Sequence, residues 1–147
     1  MMKAFIIFIW QLPQHVVAMA LCVALKCAGR IQRKEKLENN NIFPENILYT
    51  VRVKGWGVSL GRYIFLDEDY GLETVKHERG HSVQSRRWGP LYLLVIGIPS
   101  AVFNNLWDRL MHKNWTSEQR IKWYYSRYPE RQADKLGGVI RPWALRG

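Results

Sequence analysis

The residues of this 147-residue chain best suited to chemistry are His77, Glu78 and His81, in the stretch TVKHERGHSV at 74–83. On a helix, two histidines four residues apart share a face, so both imidazoles can bind one ion. Glu78 then lies about 100° round the helix from His77, because a helix turns once per 3.6 residues. From the edge of that face it reaches a water on the metal rather than the metal itself. Zinc lowers the pKa of such a water to about 7, and a glutamate can take its proton and return it to a leaving amine. Zinc-assisted hydrolysis of a peptide bond is the chemistry implied.

A catalytic zinc takes three protein ligands and keeps one position open. The metzincin continuation would place a glycine and a third histidine where this chain has Gln84 and Arg87, which excludes that class, and the inverted His-x-x-Glu-His order is absent. Downstream, Asp108, His112, Glu118, Glu130 and Asp134 are the candidates for a third ligand. Glu130 and Asp134, in PERQADKLGG, lie one helical turn apart. Glu130 can then bind zinc while Asp134 accepts the free N–H of a ligand histidine. Arg79, inside the motif, falls on the side of the helix opposite His77 and is expected to stay clear of the metal. Tyr124, Tyr125 and His112 are candidates for stabilising an oxyanion, with aromatic packing as the competing use of the tyrosines.

His-Glu-x-x-His followed well downstream by Glu-x-x-Ala-Asp resembles the gluzincin metallopeptidases, in particular membrane proteases of the CAAX-prenyl-protease and HtpX type. The resemblance covers these two motifs. It implies His77, His81 and Glu130 as zinc ligands, Glu78 as catalytic base and Asp134 as partner to a ligand histidine. WQLPQ, GVSLG, HERGHSVQSRRWGPLYLLVIGIPS and ERQADKLGGV are similar to a family of small bacterial membrane proteins. That likeness spans most of the chain and implies a bacterial membrane protein, without naming a substrate.

These residues must be positioned by a chain with two apolar blocks, 4–25 and 91–107, in an otherwise basic sequence of net charge +10. Such a balance suits nucleic acid or an anionic membrane face. No basic stripe with interleaved aromatics occurs outside the flanks of the apolar blocks, so no nucleic-acid partner is expected. The first block, 22 residues, is about 33 Å long if helical, enough to span a bilayer. Lys26, Arg30, Arg33, Lys34 and Lys36 follow it and Lys3 precedes it, which places the body in the cytoplasm. No small-residue cleavage site precedes those charges, so the block reads as an uncleaved anchor. Cys22 and Cys27, five residues apart on that helix, face different ways and are expected as apolar fillers.

Residues 1–29 are thus expected as an N-terminal anchor, and 30–147 as a single metal-site body that includes the apolar segment 90–111. Residues 30–46 read as a linker or a charged extension of the first helix. ILYTVRVK and VSLGRYIFL, flanking Gly55-Trp56-Gly57, predict a β-hairpin that could pair with an extended substrate. A helix of about 17 residues should start near Leu72 and stop at Gly89-Pro90. Thr116 or Ser117 starts another, and Pro129 and Gly137-Gly138 bracket a last one. The histidines precede the second apolar block and Glu130 follows it, so a single crossing there would separate them. Residues 112–129 are too polar to cross back, and two crossings of roughly 20 residues each do not fit the block. The sequence therefore predicts a re-entrant or kinked helical hairpin reversing at Gly97-Ile98-Pro99-Ser100. Gln11, Pro13, Gln14 and His15 interrupt the first block, either to pack helices or to line the approach to zinc.

The fold class expected is a mainly α, membrane-associated domain. Its parts are an N-terminal membrane helix, a small β-hairpin, a zincin-like His-Glu-x-x-His helix, the re-entrant hairpin and a C-terminal Glu-x-x-Ala-Asp helix. The function expected is a membrane-bound zinc metallopeptidase at the cytoplasmic face of a bacterial plasma membrane. Its cofactor would be Zn2+, and its partners membrane lipids and a peptide or membrane-protein substrate. The alternative is a non-catalytic membrane adaptor with a structural zinc site.

Overall fold

The computed structural model describes residues 2–40 and 43–145; Asn41 and Ile42 of the expected linker, Met1 and the last two residues lie outside them. Two apolar runs, NILYTV and YIFLD, form the centre of the fold as β2 (Asn46–Val51) and β4 (Tyr63–Asp67). They pair in parallel, from Ile47 opposite Tyr63 to Val51 opposite Asp67. Near-continuous apolar strands of this kind need cover on both faces. β1 (Ile31–Leu37) adds antiparallel to β2, and β3 (Gly57–Leu60) antiparallel to β4, giving the order β1-β2-β4-β3.

Helices cover both faces. Ala18 and Leu25 of α2 (Leu12–Cys27) join Tyr49, Val51, Leu60 and Phe65 in one core. On the other face Leu48, Ile64 and Leu66 pack with Val75 of α3 (Leu72–Trp88). Ser82 of α3 is fastened to the sheet by Ser59 Oγ at 2.9 Å and by the amide of Asn46, also at 2.9 Å.

The protein is therefore a small mixed α/β fold, with six α-helices and a four-stranded sheet among the described residues, not the mainly α membrane fold expected. Four local expectations fail with it. The charged segment 30–46 contributes β1 rather than a linker, an edge position where alternating charges are tolerated and discourage further pairing. The predicted hairpin partners are not antiparallel neighbours: β2 joins β4 in parallel, and the tight hairpin is β3–β4, turning at Gly61 with φ of 66°.

The first apolar block is not one spanning helix but two, α1 (Met2–Trp10) and α2, broken at Gln11. Among the described residues no helix is long and apolar enough to cross a membrane. The polar residues in the block face protein. Gln11 donates to Ser85 Oγ at 2.7 Å, Gln14 to the Gly89 carbonyl, and the His15 ring lies between Phe8 and Tyr63. The helix-packing use of these residues is the one observed.

The re-entrant hairpin is absent too. The second apolar block is a helical run, π-wound over Leu93–Gly97 and Pro99–Leu106, then α4 (Trp107–Met111). Ile98, between the π-wound stretches, keeps helical angles, so the helix runs on through Pro99 and the chain does not reverse there. With no bilayer crossing required, the return is made by α5 (Ser117–Ser126), which starts in a reciprocal capping box between Thr116 and Gln119. Asn104 donates to the Tyr128 carbonyl at 3.1 Å, and the Tyr128 hydroxyl donates to the Val95 carbonyl at 3.1 Å. These bonds hold the turn that opens α6 (Glu130–Gly137) against the apolar segment.

Candidate metal centre

The α3 helix has the length and ends that its stop signals predict, and it places His77, Glu78 and His81 in the interior. What brings α6 against them is the absence of side chains. A Cβ on Gly80 would lie 2.0 Å from the Ala133 carbonyl oxygen, and one on Gly137 2.2 Å from that of Lys76. The two helices therefore touch backbone to backbone. Glu130, fully buried in the first turn of α6, is delivered to the histidine pair.

Glu130 Oε2 lies 3.1 Å from His77 Nε2 and 3.0 Å from His81 Nε2. The three ligand atoms all fall within 4.8 Å of one another. Each imidazole has its other nitrogen committed. His77 Nδ1 is 2.7 Å from Asp134 Oδ1, and Asp134 is clamped in turn by the Arg141 guanidinium through two bonds of 2.8 Å. His81 Nδ1 is 2.7 Å from Gln84 Oε1. Gln84 Nε2 donates to the Pro129 carbonyl and to Gln132 Oε1, which leaves Oε1 as the acceptor and fixes the His81 tautomer. With both Nδ1 atoms donating, the two Nε2 lone pairs point at the same carboxylate oxygen. A proton or a metal ion among the three atoms would satisfy them together, and two imidazole nitrogens with one carboxylate oxygen are a donor set that fits a metal ion.

The electrostatics agree. Burial alone would lower the His77 pKa, but its hydrogen bonds to Asp134 and Glu130 outweigh this and raise it to about 9. Burial would raise Glu130, yet the two histidines hold it well below the usual carboxylate range. The cluster favours positive charge at its centre. Glu78 behaves differently: burial raises its carboxyl despite the neighbouring histidines, and its Oε2 has no hydrogen-bond partner. It lines two cavities beside the cluster, one of about 960 Å3 and one of about 170 Å3. Gly57 of β3 makes room for it, since a Cβ there would come within 3.0 Å of Glu78 Oε1 and 2.8 Å of Leu66.

The other sequence candidates separate. Tyr124 lines both cavities with Glu78, and burial keeps its hydroxyl protonated. Tyr125 lines the larger cavity and sets its ring edge-on to His77, with Arg141 stacked 3.6 Å from its centroid. His112 is bonded to Asp108 at 3.0 Å and stacked on Trp115; it lines neither cavity. Asp108 is held by Arg120 and Glu118 lies on the surface, so neither is a ligand. Arg79 keeps clear of the centre, bonding the carbonyls of Glu38 and Pro44 and stacking on Phe43.

Gln84 and Arg141 were missed by the sequence reading. Gln84 stands three residues after His81, on the same side of a helix, a spacing that could have identified it. Arg141 has no such signal: it reaches Asp134 only because Gly138, at φ of 68°, ends α6 and turns the tail back.

No protein-family model, no curated protein and no solved structure matches this chain. What defines the protein is its centre: a buried two-histidine, one-carboxylate group on crossed helices that could hold a metal ion.

Proposed function

We propose that this protein is a zinc-dependent peptidase in which Glu78 is the general base. The observation that carries the reading is the unpartnered Glu78 Oε2, beside a three-ligand cluster and on the wall of an open cavity. A structural zinc site has four protein ligands and is closed; a catalytic one has three and leaves room for substrate.

His77, His81 and Glu130 would hold the zinc ion, which when bound would supply Lewis acidity to the scissile carbonyl and the attacking water. Glu78 takes the proton of that water as its oxygen bonds to the carbonyl carbon. It then delivers the proton to the leaving nitrogen as the C–N bond breaks, releasing a free carboxylate and an amine. The Tyr124 hydroxyl, kept protonated, donates to the developing oxyanion. Asp134 with Arg141, and Gln84, hold the two imidazoles so that Nε2 faces inward.

The substrate enters along β3. Asp67 N–H bonds the Trp56 carbonyl, which turns the Gly57 and Ser59 peptide groups toward the outer edge. The Ser59 carbonyl is taken by the Tyr92 hydroxyl at 2.9 Å, so strand addition uses the Gly57 end, directly over Glu78. The protein associates with the cytoplasmic face of a bacterial membrane. Exposed Phe5, Ile9, Trp10, Val16, Phe103 and Trp107, with the net charge of +10, support that placement.

The test is metal dependence. Zinc-loaded protein should hydrolyse unstructured peptides, stop when a chelator removes the metal and recover when zinc is restored. Hydrolysis indifferent to chelation would contradict the reading.

A further inference from the structure

The cavity of about 960 Å3 above His77 and Glu78 is large enough for several residues of an extended chain. Its walls differ in charge. Trp56, Asp67, Asp69 and Tyr70 stand on the sheet side, and Arg109 and Arg120 on the helical side. All four aspartates of the chain gather here: Asp67, Asp69 and Asp108 line the cavity, and Asp134 backs His77. In a chain of net charge +10 that distribution is opposite to the rest of the surface.

The charges are not equally free. Asp108 is neutralised by Arg120, through bonds of 2.8 and 2.6 Å to the same oxygen. Asp67 gives Oδ2 to the Gly55 N–H at 2.7 Å, which fixes its carboxylate at the wall without cancelling its charge. Asp69 is exposed. Neither Asp67 nor Asp69 enters an ion pair among the described residues. Lys54, at the same turn, is exposed and outside the lining. Carboxylates beside an indole ring form a surface for a cation, because the ring face adds attraction to that of the charges. The buried, unpartnered Glu78 lines the same cavity, so wall and centre act on one ligand.

We propose that Asp67, Asp69 and Trp56 receive a lysine or arginine side chain of the peptide, so that the substrates are cationic peptides. This rests on the peptidase reading. The basic residue lies on the sheet side of the scissile bond, away from Arg109.

The experiment measures equilibrium binding to zinc-loaded Glu78→Gln protein, in which the peptidase reading expects turnover to fall by about 10²–10⁴-fold. The probes are end-blocked decapeptides with one lysine at successive positions in a neutral background, beside their glutamate counterparts. At one or two adjacent positions lysine should bind about fivefold tighter or more than glutamate, as two partly exposed charge pairs give. Asp69→Asn and Trp56→Leu should each reduce that gain, and the Asp67→Asn, Asp69→Asn double variant should abolish it. Equal binding of the two sets, no binding, or a lysine preference that survives the double variant would overturn the inference. The same peptides offered to the zinc-loaded wild type separate the two claims. Cleavage without lysine preference overturns only the inference, whereas lysine-dependent binding without cleavage supports the acidic wall and contradicts the peptidase.

Discussion

Gln84 carries as much of the geometry at the centre as a ligand does. Its carbonyl oxygen orients His81, and its amide group holds the start of the helix that supplies Glu130. Gln84→Leu should therefore weaken zinc binding by about 10- to 100-fold, the usual cost of losing an outer partner of a ligand. Competition with a chromogenic chelator reads this directly; unchanged affinity would mean that His81 is held by packing alone. His77, Glu78, His81, Glu130 and Asp134 were legible because helical spacing is local and their chemistry restricts residue choice. The oxyanion candidates were not, because residue type alone does not say which of Tyr124, Tyr125 and His112 faces the cavity. Tertiary packing brings Tyr124 and Tyr125 to the larger cavity and leaves His112 out of both.

Between elements, the crossing of α3 and α6 depends on Gly80 and Gly137. Gly80→Ala forces the helices apart, because its Cβ would meet backbone 2.0 Å away and backbone cannot rotate aside. Overpacking of this kind costs about 1–3 kcal/mol. The expected outcome is a lower melting temperature together with lost zinc, as Glu130 withdraws. A variant of wild-type zinc content would show that the crossing does not set the ligand geometry. The helix boundaries were readable from Gly89-Pro90, Thr116, Pro129 and Gly138, since caps and stops are local chemistry. The sheet was not. Parallel pairing of β2 with β4 is non-local, and the charged sequence of β1 gives no strand signal of its own.

For the whole molecule, the sequence reading treated apolar length as evidence of spanning. Gln11, Gln14 and His15 instead turn the first block onto the body, and the second is wound largely as π-helix. Burial against protein accounts for only part of the apolar surface: Phe5, Val16, Phe103 and Leu110 are each more than half exposed. The protein should accordingly sediment with anionic lipid vesicles, less with neutral ones, and less again as Phe103→Glu. Protein left in the supernatant with every vesicle would refute membrane attachment.

The central claim, a zinc centre with Glu78 as its base, is tested most directly by measuring zinc content and peptide turnover on one sample of Glu78→Gln. Glu78 touches none of the ligand contacts described, so the variant should keep about one zinc per chain, as three-ligand sites do. Its turnover should fall by about 10²–10⁴-fold with the loss of general-base catalysis. Turnover equal to wild type in a zinc-replete Glu78→Gln protein would contradict the account.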